Sequence, residues 1–111
     1  MPIIAPFFGD VDTRNELSGV VTYGSSVFEG RQVFCANWDG VGVGYYNQRF
    51  DKLNKFQVLL VDRSDIGAGD FDIIFNYNQI QWETGEASGG TNGLGGDSAR
   101  VGYSNGNLAT R

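Results

Sequence analysis

The sequence predicts an all-β domain, an antiparallel sandwich or rolled sheet of about seven short strands with one Gly-rich loop. Three observations lead there. The apolar runs are short, rich in β-branched and aromatic residues, and separated by Gly, Asn, Asp and Ser. No segment holds an amphipathic helical period of convincing length. Aromatic residues make up 14% of the 111 residues, enough bulk for a single core without metal or disulfide staples.

The expected strands are Ile3–Phe8, Gly19–Tyr23, Gln32–Trp38, Gly40–Tyr46, Phe56–Asp62, Phe71–Asn78 and Ala99–Ser104. Phe56–Asp62 and Phe71–Asn78 flank the turn-forming run Arg63-Ser64-Asp65-Ile66-Gly67-Ala68-Gly69-Asp70, which predicts a hairpin. Both are apolar through their centres (Val58-Leu59-Leu60-Val61 and Ile73-Ile74-Phe75), so both are expected buried in the middle of the core. Gly40-Val41-Gly42-Val43-Gly44 alternates Gly with Val, which marks a bulge or a place where aromatic rings lie across the backbone. Between Gly85 and Gly96 six of twelve residues are Gly, and a flexible or irregular loop is expected.

Composition removes several kinds of function. The net charge is −5, with 13 acidic against 8 basic residues and no Lys/Arg cluster, so nucleic acid is not an expected partner. No apolar run is long enough to insert in a membrane. His is absent, which removes Ser-His-Asp and Cys-His chemistry and imidazole metal ligation. Cys35 stands alone within Val33-Phe34-Cys35-Ala36, where a small buried hydrophobe is expected over a reactive or intermolecular thiol. Met1-Pro2-Ile3-Ile4-Ala5 lacks the basic and long apolar parts of a secretory leader, and residues 1–111 are read as one domain excised from a longer secreted or surface protein. Asn-x-Ser/Thr does not occur.

No metal site or cofactor is expected, and calcium is the one ion weighed. Asp10 and Asp12 project to one side of an extended segment and can share a calcium ion; the competing reading has them bond local backbone N–H groups or pair with Arg14 or Arg31. Asp62, Asp65, Asp70 and Asp72 surround the hairpin loop, either as weak calcium ligands or as a solvated tip. Glu83 and Glu86 beside Trp82 have the residue types of a glycosidase or a sugar-stacking platform, but no cleft for substrate distortion is expected in so small a chain, and Trp82 is more simply a core residue ending its strand. Gly89–Asp97 shares only its glycine count with a phosphate loop, since no Gly-Lys-Ser/Thr and no helix follow. The chain is therefore read as a non-catalytic binding module.

Five blocks in order add a resemblance. They are Ala5-Pro6-Phe7-Phe8-Gly9-Asp10-Val11-Asp12-Thr13-Arg14; Phe34-Cys35-Ala36-Asn37-Trp38 with Val43-Gly44-Tyr45-Tyr46; Asp51–Gln57; Phe71–Gly85; and Ala99–Ser104. Together they resemble the nidogen-like (NIDO) domain from about Ile3 to about Asn107. The resemblance implies an extracellular, largely β domain of matrix, adhesion and microbial surface proteins, without enzymatic activity. It implies protein partners in the matrix or on cell surfaces, with self-association into a homo-oligomer through a sheet edge as one mode. The alternative is a calcium-dependent carbohydrate-binding module, with Trp82, Tyr45 or Tyr46 as stacking rings.

Overall fold

The computed structural model describes residues 1–43 and 49–107. Among these, seven strands form: β1 (Ile3–Phe8), β2 (Val11–Asp12), β3 (Val21–Phe28), β4 (Arg31–Val43), β5 (Arg49–Asp62), β6 (Phe71–Gln79) and β7 (Arg100–Ser104). The fold is all-β and every pairing is antiparallel. The expected strands are present; β5 begins at Arg49, well before the expected Phe56, and three further differences stand out.

First, Gln32–Trp38 and the start of Gly40–Tyr46 are one bent strand. Gly40 adopts φ +80 where the register between β4 and β5 shifts, so a bulge carries the strand onward. Tyr45 and Tyr46 lie outside the described residues. Second, β3 runs on to Phe28 and turns into β4 through Glu29-Gly30, both at positive φ, as a two-residue type I′ hairpin requires. Third, Val11–Asp12 adds a short strand beside the far end of β4.

The larger sheet has the order β2-β4-β5-β6, with β3 on β4 beside its N-terminal half. The centre of the sheet is thus the β4–β5 pair. The expectation that β6 shares the middle is corrected: β6 is an edge strand, and none of its residues is fully buried. Its apolar run lies at a margin, where one neighbour and a thin second layer cover it only in part.

That second layer is the β1–β7 ribbon. Phe7 packs against Phe56 (5.2 Å between ring centres) and edge-on against Trp82 (5.2 Å, 90°). The Tyr77 hydroxyl donates to the Pro6 carbonyl at 2.5 Å. The buried apolar set is Val33, Ala36, Val41, Val43, Phe56, Val58, Val61 and Trp82. The ribbon covers only the β5–β6 side of one sheet face, so the molecule is flat, 46 × 35 × 18 Å. Its radius of gyration of 15.8 Å exceeds the roughly 13 Å of a close-packed domain near this size.

Two close approaches hold the chain before β3 against β4. The Gly19 amide donates to the Gly40 carbonyl at 2.8 Å, and a Cβ at Gly19 would land on the Asp39 carbonyl oxygen. Buried Ser18 accepts from the Gly42 amide through Oγ at 3.0 Å.

The Gly-rich loop is irregular, but it is pinned by hydrogen bonds. One 3-10 turn (Glu86–Ser88) ends at Gly89 with φ +78. Thr91 and Leu94 then pair across Asn92 (φ 55) and Gly93 (φ 84), an Asn-Gly type I′ turn. The Gly93 carbonyl accepts from the Glu83 and Thr84 amides, and Thr84 Oγ1 donates to the Gly95 carbonyl at 2.6 Å. The glycines here supply backbone shape against the buried Trp82–Thr84 segment, more than they supply mobility.

Candidate interaction surface

Strand register sorts the sheet into two faces. Val21, Trp38, Phe56 and Tyr77 form one cross-strand row; the next rows on that face contain Tyr23, Ala36, Val58 and Phe75, then Ser25, Phe34, Leu60 and Ile73. The β1–β7 ribbon covers the β5–β6 part of this face. Over β3 no described residue is layered, and on the neighbouring part of β4 Phe34 stays open while Ala36 is buried. Every residue of β3 is exposed, Tyr23 by 80%. Tyr23 and Phe34 contact each other at 6.1 Å between ring centres, and exposed Val21 and Val27 extend the apolar strip on that face. Apolar exposure in one contiguous strip of this kind marks an interaction surface.

The opposite face carries a polar row, Thr22, Asn37, Gln57 and Asn76. Asn76 Nδ2 donates to Gln57 Oε1 at 3.0 Å, and Gln57 Nε2 donates to Asn37 Oδ1 at 2.6 Å. The Asn37 and Gln57 amides also approach the half-buried Cys35 sulfur at 3.3 and 3.4 Å. Cys35 is therefore a small half-buried side chain beside an amide ladder. Both faces escape a reading of sequence alone, because each needs the cross-strand register to assemble it.

The acidic residues are placed as follows. Asp12 is tied to Arg14, which donates from Nε (2.9 Å), from Nη2 (2.5 Å) and from its backbone amide (3.0 Å). These bonds, the side-chain ones foremost, hold the Asp12 carboxyl below the usual carboxylate range against the opposing effect of its burial. Asp65 takes the Arg63 guanidinium at 3.0 and 3.2 Å and Arg31 at 3.4 Å, which lowers its pKa to about 2. Asp72 takes the other side of Arg63 at 3.0 Å. Asp62 accepts from the Ser64 amide and hydroxyl. The positive charge between Asp65 and Asp72 is thus a guanidinium, and Asp70 lines a neighbouring shallow hollow with Arg63 and Ile66. Among the described residues no three acidic or thiol side chains gather around one point.

Asp10 differs from the rest. Its Oδ2 is buried without a hydrogen-bond partner, and it lines an open cleft with Ser88, Asp97, Ser98 and Arg100. Trp82 is corrected as a stacking ring: it is 1% exposed, with Nε1 donating to the Val41 carbonyl at 3.2 Å, and offers no face to a sugar. Glu83 and Glu86 lie at the entry to the Gly-rich loop, Glu86 inside the 3-10 turn.

The Asp12–Arg14 pair carries a pH prediction. The folded pKa of Asp12 is depressed, so its contribution is present above the unfolded value near pH 4 and fades as pH falls through the folded value. Because Arg14 is half exposed, the contribution is about 1 kcal/mol. Urea unfolding of wild type and Asp12→Asn at pH 7 and pH 2.5 is expected to differ by that amount only at pH 7. A gap that persists undiminished at pH 2.5 contradicts the ion pair as its source.

The nidogen-like domain model matches residues 22–110. Alpha-tectorin of Gallus gallus is 33% identical over a 129-residue alignment that covers 96% of this chain and 6% of that protein. Alpha-tectorin of Homo sapiens is 34% identical, covering 95% of this chain and 6% of its own length. Nidogen of Drosophila melanogaster is 31% identical over 78% of this chain and 8% of its own. The chain thus spans less than a tenth of the relatives it matches, and no solved structure matches it. These relatives are extracellular matrix proteins, and the domain is an extracellular structural one. The chain belongs to the nidogen-like domain family.

Proposed function

We propose that residues 1–111 form one domain of a longer secreted or surface protein, a non-catalytic adhesion module that joins matrix proteins through the open half of its sheet. One observation carries this reading: an eight-residue strand exposed along its whole length, bearing Tyr23 and Val27 beside Phe34. A monomeric domain has reason to cover such a strip, and aromatic side chains that stay accessible are the usual anchors of protein interfaces.

The test is retention of the purified domain on immobilised extracellular-matrix proteins, with wild type compared to Tyr23→Lys/Phe34→Lys and folding checked by circular dichroism. Loss of two central aromatic anchors is expected to weaken retention by about tenfold or more. Equal retention of both proteins, or retention of neither, overturns the reading.

A second reading, calcium-dependent carbohydrate binding, draws on the unpartnered Asp10 Oδ2 in its cleft with Asp97, Ser88 and Ser98. An ion held only by the folded chain raises the melting midpoint. A midpoint that is the same in calcium and in chelator removes this reading.

A further inference from the structure

We infer that the partner of β3 is a second copy of this chain, joined edge to edge about a twofold axis centred on Gly24, which fuses two sheets into one. This inference rests on the proposed adhesive role of the open sheet and names one occupant for its edge.

The argument starts from backbone chemistry. Among the described residues β3 pairs with β4 alone, on one side, so alternate N–H and C=O groups along its outer side point away from the sheet. Natural edges are blunted by charge, proline, bulges or short length. The other edge of this sheet is blunted in that way: β6 carries Asp72, held by Arg63, and has a register irregularity beside Gln79 and Tyr77. The β3 edge has none of these devices. Val20–Phe28 contains no charged residue and no proline, and its register with β4 is unbroken.

The segment is also complementary to itself. A twofold axis perpendicular to the sheet keeps each face continuous, which requires same-face residues to meet. With Gly24 opposite its own symmetry mate, Val21 faces Val27 and Tyr23 faces Ser25 on the aromatic face. On the other face Val20 meets Phe28 and Thr22 meets Ser26. All of these side chains are exposed in the single chain. Each apolar pair occurs twice, and the two Tyr23 rings become diagonal neighbours, within reach of one another. Each already touches Phe34 of its own sheet, so four rings line up across the junction. Shifting the centre to Ser25 instead sets Glu29 against Val21 and Phe28 against Thr22, which places a charge inside the apolar ladder. The Gly24 register leaves Glu29 beyond the paired residues.

Charge decides where two copies can meet. Each carries −5 overall, and like-charged molecules associate best through an uncharged segment. Salt screens the repulsion between the remaining surfaces, so association is expected to strengthen as ionic strength rises. A ladder of this length lies at the small end of specific interfaces, so the dimer is a weak, concentration-dependent one.

Sedimentation velocity over a concentration series tests this in wild type and two variants. Wild type is expected to pass from the 12.1 kDa monomer to twice that mass, more readily at high salt. Thr22→Lys/Ser26→Lys sets like charges opposite each other across the axis and is expected to weaken the dimer by about tenfold. Thr22→Lys/Ser26→Glu sets opposite charges against each other at the same positions and is expected to restore it. A wild type that stays monomeric throughout, a dimer indifferent to the Lys pair, or failure of the Lys/Glu variant to recover overturns the inference. The adhesive reading is tested separately by retention on matrix proteins, which survives if only the twofold edge is wrong.

Discussion

Asn54→Ala is expected to destabilise the domain by about 4 kcal/mol. Asn54 has no solvent exposure and lies on β5. Its Nδ2 donates to the Trp82 carbonyl at 2.9 Å, and its Oδ1 accepts from the Gln81 amide at 2.8 Å and the Trp82 amide at 3.2 Å. One side chain thus replaces the strand partner that the chain lacks after β6. Truncation leaves three backbone groups without this partner, the Trp82 amide and carbonyl in buried surroundings and the Gln81 amide in a part-buried one, and each buried group costs about 1–3 kcal/mol. Urea unfolding reads the loss directly. A change below about 1 kcal/mol would mean that water or a shifted backbone takes over those bonds.

Trp82→Ala is expected to cost about 4 kcal/mol as well, by a different route. The indole is almost wholly buried, meets Phe7 edge-on and reaches the Val41 carbonyl, so it joins the β1–β7 ribbon to β4. Trp82→Phe keeps most of the ring contact and loses the Nε1–H donor, so about 1–2 kcal/mol is expected there. Asn54 and Trp82 act on the same segment. The double variant should therefore lose clearly less than the sum of the two single losses. Strict additivity would contradict the view that Asn54 acts by holding Trp82 in place.

Much of the fold was legible because its signals are local. Ile3–Phe8 matches β1 at both ends, and Phe71–Asn78 falls one residue short of β6, since Gly, Asn and Asp punctuate the chain where the strands stop. The role of β6 was not legible: Ile73-Ile74-Phe75 has the composition of a central strand, and its margin position follows from topology. Gly24-Ser25-Ser26 hid the second half of β3, because a strand exposed on both faces carries no alternation. Glu29-Gly30 was a weaker turn signal than Asn92-Gly93, although both adopt the same paired positive φ. The interaction strip was invisible for a further reason. Tyr23 and Phe34 are eleven positions apart, and only the β3–β4 register brings their rings together.

The placement of β1 against β7 has a mechanical consequence. Ile3 lies opposite Ser104, so the two strands that bracket the domain leave the ribbon at the same end. A pull transmitted along a longer protein in opposite directions would load that ladder one rung at a time, in the manner of a zip, with no shear across the whole ribbon. Tension would then peel away the thin layer first, uncovering Phe56 and Ile73 while the β4–β5 pair stays intact. Extension would in this way lay open apolar area that the slack domain keeps covered.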